Sequence, residues 1–267
     1  MSAWAYVLVG ILGLILKVHD GSAAPPLNSV TALQTGSRVW VPAGRFAPLF
    51  GLDKGQTDFQ VRGFAMDRYP VTQRDYLEFL SRRTEWTKNK VPRLYADSRY
   101  LSDWKDGRPV QRKNAPVVFV SWFAATSFCE ARGGRLPTTL EWEYAAAASE
   151  DKADASRDAA FVERILAWYG KPSSTNQPVG RRKPNYYGIH DLHGLVWEWT
   201  SDFNGSFVTA DNRADGDQSK SFFCGSGVTG AAKREDYAAF MRYAMRNSLG
   251  PDFAVMNVGF RCAYDQK

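Results

Sequence analysis

With 267 residues, 44% of them hydrophobic, the chain is long enough to bury a sizeable core in one or two domains. Its 9 Trp, 12 Tyr and 16 Phe alongside 22 Gly argue for aromatic packing and abundant loops, and against a helical bundle. The net charge of +6 sits in scattered clusters such as Arg82-Arg83, Arg112-Lys113 and Arg181-Arg182-Lys183, with no stripe on one helix, so a nucleic-acid partner is not expected.

Residues Ala3 to Leu16 form an apolar run ended by Lys17, too short for a span that takes ~20 residues. Gly21-Ser22-Ala23-Ala24 then supplies the small residues of a cleavage site, which predicts a signal peptide over 1–23. The stretch before the run carries no Lys or Arg, so a retained anchor is the alternative. A polar, Pro/Ser/Thr-rich tether follows over 24–37, and the domain proper occupies 38–267. The expected product is exported, without stable membrane insertion once the signal is cleaved.

Arg38 to Pro42 reads as a short strand, and Val61 to Asp67 as a second. Thr72 caps a helix whose Tyr76, Phe79 and Leu80 share a face. Residues 84–113 are charged and aromatic without a period, a long surface excursion. Pro116 to Val120 reads as a buried strand, after which Ser121 caps a helix that Gly133-Gly134 stops. Thr138-Thr139-Leu140-Glu141 is a capping box that starts another helix, carried through Trp142 to Ala148. Phe161, Val162, Ile165 and Leu166 predict one more short helix; 171–184 is a linker, and the rest is turn-rich with short strands. Together these predict an α+β domain of low regular content.

Three cysteines are present, Cys129, Cys224 and Cys262; in an oxidising compartment the odd count predicts one disulfide and one free thiol, and spacing alone does not choose the pair. His190 and His193 lie between Gly188 and Gly194 on a turn with no third ligand pinned, so a transition-metal pair is not expected. No flavin, haem or nicotinamide fingerprint occurs, so no organic cofactor is expected.

Five segments in order carry a resemblance: Val41 to Gly44, Phe64 to Thr72 with Pro116 to Trp122, Gly134 to Ala145, Tyr187 to Trp199, and Asn257 to Cys262. Over roughly 38–265 the chain resembles the formylglycine-generating enzyme (sulfatase-modifying factor) family, which implies a C-type-lectin-like α+β fold. The exported N-terminus, the excursion at 84–113 and a missing cysteine are similar to the family's periplasmic pyoverdine-maturation branch.

The resemblance implies several roles. Asp191, Gly194, Val196 and Glu198 match a structural calcium site of two carboxylates and two carbonyls, a hard oxygen shell; Leu195 stands where the family has Asn. Cys129 and Cys262 match a disulfide, worth on the order of 3–5 kcal/mol in the loop-entropy model. Ser221-Phe222-Phe223-Cys224 matches the segment that bears the first reactive cysteine, but five residues on stands Thr229 where the active enzymes have a second. A hydroxyl cannot replace a thiolate as a soft Cu(I) ligand, so copper and formylglycine generation are not expected. Cys224 remains as a candidate redox thiol, Arg246 as a groove-lining group, Glu235 as a candidate base, and Ser221 with Trp197 as substrate contacts.

The expected activity is that of a periplasmic oxidoreductase, catalysing or assisting oxidation of the dihydropyoverdine chromophore of a small aromatic peptide precursor. Other periplasmic pyoverdine-maturation proteins are the expected partners. The alternative is a non-catalytic, calcium-stabilised module that binds the precursor or scaffolds a partner oxidase.

Overall fold

The computed structural model describes residues 38–48, 57–110, 112–171, 175–204 and 234–266, all within the unit Gly36–Lys267. The chain closes on itself through a three-stranded antiparallel sheet in which β4 (Phe64–Asp67) lies between β1 (Arg38–Val41) and β9 (Ala263–Asp265). The register sets Val41 opposite Phe64 and Met66 opposite Ala263, which puts one apolar face inward. Residues Val61 to Asp67, read from sequence as one strand, split into β3 (Phe59–Val61) and β4 at Arg62-Gly63, and β3 pairs instead with β2 (Gly44–Phe46).

Three helices start where their caps predict, and a fourth starts at a cap the sequence reading did not name. Thr72 and Thr138 each form a full capping box, ahead of α1 (Gln73–Arg82) and α3 (Thr139–Ala146). Ser121 caps α2 (Trp122–Ala131), which ends at Gly133 with φ +71°, a left-handed value that costs glycine nothing. Asp158 caps α4 (Ala159–Tyr169) by accepting from two backbone amides. Tyr76 of α1, Phe128 of α2 and Phe260 form the aromatic centre of the core, with ring centroids 5.2–6.2 Å apart. Beside them Cys129 of α2 and Cys262, both fully buried, form the disulfide across a separation of 133 residues, the pairing that the family resemblance implied.

Two expectations are corrected. Pro116 to Val120 is buried and partly extended but forms no ladder. Its amides are met by separate segments, Val117 N donating to Val71 O and Phe119 N to Val255 O, and Phe119 at φ +55° breaks the extended course. Second, where the sequence predicts turns and short strands beyond residue 233, the first element is the helix α5 (Arg234–Asn247), which packs on α4. Short pairs complete the fold: β5 (Trp104–Lys105) with β6 (Arg108–Pro109), and β7 (Trp197–Glu198) parallel to β8 (Val258–Gly259). Among the described residues no helix is long and apolar enough to cross a membrane.

Candidate functional site

Strand β7 sends alternate side chains to opposite faces. Trp197 points to a half-exposed face, while Glu198 is fully buried. On the outer face Trp197 stacks on Tyr169 (centroids 5.0 Å apart, 22° between planes) and lies 5.1 Å from Trp168. Both partners come from the last turn of α4, so the helix end and the strand build one aromatic wall.

Behind the wall lies a buried carboxylate, Glu143 of α3, held by two guanidinium groups of α5. Arg242 donates through Nε and Nη2 (2.6–2.9 Å), and Arg246 through Nη1 (2.9 Å). Their spacing of four residues places both on one helix face. Burial pushes the Glu143 carboxyl up, but Arg242 and then Arg246 overcome it and hold it below the usual value. Among the described residues, one carboxylate facing two guanidinium groups leaves a surplus positive charge. The ring of Trp142 lies 4.5 Å beneath Arg246, and its π face absorbs part of that surplus. Arg242 also donates to the Tyr169 hydroxyl (3.1 Å), which ties the cluster to the wall.

Trp142 joins this cluster to a second one. Its indole N–H donates to Glu198 Oε2 (2.7 Å), and Arg261 grips both Glu198 oxygens at 2.8 Å. The remaining Arg261 N–H groups reach the carbonyls of Asp67, Arg68 and His190, so a fully buried guanidinium has every direction answered. His193 packs edge-on against Trp142 and Phe161, with Nε2 2.9 Å from the Ala146 carbonyl. A carbonyl only accepts, so Nε2 carries the proton; burial, then the Arg242 charge, lowers the imidazole pKa to about 3.

The sequence-derived site residues fare differently. Cys224 and Ser221 lie outside the described residues, as does Thr229, and the side chain of Glu235 likewise. Trp197 stands in the aromatic wall. Arg246 does not line an open groove; it is buried and committed to Glu143 and Trp142, because a guanidinium on the inner face of α5 meets the α3 carboxylate before any solvent. Sequence reading passed over Glu143, Arg242, Trp168 and Tyr169. The signal was there in the acid that follows Trp142 and in two arginines at helical spacing, but α5 itself was not foreseen.

The calcium assignment can be tested on the donors. Asp191, at φ +60°, is nearly buried, and burial raises its carboxyl pKa; its Oδ2 accepts from the Gly180 amide (2.6 Å). Among the described residues neither the Gly194 nor the Val196 carbonyl accepts a hydrogen bond. Glu198 has three donors on its two oxygens, which leaves one lone-pair direction on Oε1. All four groups are hard oxygen donors, and their chemistry fits a calcium ion. Gly194, at φ +96°, has the Arg182 guanidinium against it, and a Cβ there would collide with Nη1.

The order of segments and the disulfide are those of a known family, and the family model for the sulfatase-modifying factor enzyme 1-like domain matches residues 24–266. The chain belongs to this family. Among curated relatives, mouse inactive C-alpha-formylglycine-generating enzyme 2 is 28% identical over 300 residues, covering 91% of this chain and 94% of the relative. Bovine formylglycine-generating enzyme is 30% identical over 321 residues, covering 93% of this chain and 78% of the relative. Among solved structures, CarF aligns with TM-score 0.47 at 17% identity over 86% of this chain and 98% of that one. PvdO from Pseudomonas aeruginosa aligns with TM-score 0.45 at 18% identity over 86% and 94%. The α+β fold of low regular content is thus that of a formylglycine-generating enzyme-like domain.

Proposed function

We propose that this protein acts in the maturation of a pyoverdine-type siderophore in the periplasm, binding an aromatic peptide precursor and promoting oxidation of its dihydropyoverdine chromophore. The observation that supports this reading is the half-exposed wall of Trp168, Trp197 and Tyr169 backed by the over-positive Glu143–Arg242–Arg246 cluster. An electron-rich, catechol-like ring stacks on such a wall, and the surplus charge favours the phenolate that loses electrons most readily. The oxidation removes two electrons and two protons from the ring; dioxygen, accepting both, leaves as hydrogen peroxide.

The family's copper route needs two cysteines, and Thr229 stands in place of the second. One relative that matches nearly the whole chain is itself named an inactive formylglycine-generating enzyme, while bovine formylglycine-generating enzyme covers as much of it. Calcium held by Asp191, Gly194, Val196 and Glu198 would pin the turn that precedes β7, and so the position of Trp197.

The test is to incubate the purified protein with the dihydro precursor and follow chromophore absorbance and oxygen uptake. Acceleration over the spontaneous reaction that falls on Trp197→Ala supports the proposal. A rate equal to the uncatalysed one, with and without added copper, overturns the catalytic role. Saturable precursor binding in that case, together with rescue of a deletion strain by Cys224→Ala, would identify a binding module instead.

A further inference from the structure

A cavity of about 340 Å³ opens between α4 and residues 182–194, beneath residues 148–150. Its size lies at the low end of small-molecule sites. The floor is apolar, formed by Ile165 and Leu192, both buried, with Trp168 at one side. The rim is cationic, and the charges on it do not cancel. Arg164 is spent on Glu150 through a two-pronged ion pair (2.8 and 3.0 Å). Arg182 donates to the His193 carbonyl (3.1 Å), which orients the guanidinium but does not neutralise it. Lys171 and Lys183 are exposed, and among the described residues neither has a carboxylate within ion-pair distance. Asp191, the remaining acid of the lining, offsets part of the Arg182 charge, so Lys171 and Lys183 carry most of the surplus.

Three cations against this one acid leave a net positive charge and a mutual repulsion around the depression, felt more strongly above a low-dielectric floor. A ligand that relieves this repulsion and also covers the floor must carry an anionic head on an apolar body. We propose that this cavity binds an organic carboxylate with an aromatic or branched-aliphatic body of one to two rings, with Arg182 and Lys183 on the carboxylate and Ile165, Leu192 and Trp168 around the body. An inorganic anion would answer the rim and leave the floor wet, so the commitment is to the amphiphilic class. The site shares Trp168 with the aromatic wall but uses neither Trp197, nor the segment that bears Cys224, nor any oxidation step, so reversal of Lys171 or Lys183 tests it separately from the function proposed above.

Calorimetric titration of the full chain with indole-3-acetate is the test, with tryptamine as the oppositely charged analogue and inorganic phosphate as the bodiless anion. The expected result is saturable binding of indole-3-acetate at about 1 mM or tighter, with tryptamine and phosphate each at least about tenfold weaker. Lys183→Glu and Lys171→Glu should each weaken indole-3-acetate by about tenfold while the melting temperature stays unchanged; both side chains are exposed, so the fold survives the reversal. Arg182→Ala, which touches the Gly194 turn, is read only beside these two. Absence of saturable binding, equal binding of tryptamine, or a Kd indifferent to both reversals would overturn the proposal. Phosphate binding as tightly as indole-3-acetate would overturn the role given to the floor.

Discussion

The two buried carboxylate–guanidinium centres share Trp142 yet are built differently. At Glu198 one acid meets one Arg261, and every leftover guanidinium N–H finds a backbone carbonyl from a distant segment. That centre pairs one charge with one, and both side chains are sealed from solvent. At Glu143 one acid meets two arginines from a single helix, and the excess charge spills onto an aromatic face and a tyrosine hydroxyl beside the wall. The first holds chain segments together. The second carries more positive than negative charge beside the Tyr169 hydroxyl of the wall.

The largest expected effect tests the closed centre. Arg261→Met leaves Glu198 charged and sealed, and should cost about 3–5 kcal/mol in denaturant unfolding. The double variant Arg261→Met with Glu198→Leu should recover part of that loss; if it recovers none, packing rather than charge holds the centre. Next comes the disulfide beside it. Replacing Cys129 and Cys262 by Ser should cost on the order of 3–5 kcal/mol, without altering precursor binding at the wall.

For the open centre the signature is pH. The Glu143 carboxyl is depressed in the folded state, so its stabilisation is full above the unfolded value near 4.5 and fades as pH falls through the lower folded value. Glu143→Gln should cost about 1.5–3 kcal/mol at neutral pH and flatten the loss of stability below pH 4.5. An unchanged acid limb in that variant would mean that Glu143 is not the group responsible. Removal of calcium with EGTA should lower the melting temperature by about 5 °C, equivalent to about 2 kcal/mol for a domain of this size; no shift would argue against the Asp191–Glu198 ion. The smallest effect is the control: Glu78→Gln, which breaks the exposed i,i+4 pair with Arg82, should change stability by less than about 0.5 kcal/mol.

Much of this architecture was legible in the residues themselves. Thr72, Ser121 and Thr138 start helices because a side-chain oxygen three residues ahead of an amide is a local matter, decided within one turn. The family motifs likewise named the Cys129–Cys262 pair, the turn before Trp197, and the loss of the second cysteine at Thr229. Other features depended on partners far away in the chain. Whether Val117 and Phe119 join a ladder was set by Val71 and Val255, which supply isolated carbonyls in place of a neighbouring strand. Whether Arg246 faces a groove or the core was set by Glu143, 103 residues away. Local sequence determines caps, turns and the inventory of reactive groups, because those energies act within a few residues. Which charges end up matched, and which are left over to act on a ligand, is a sum over segments that only meet in the folded chain.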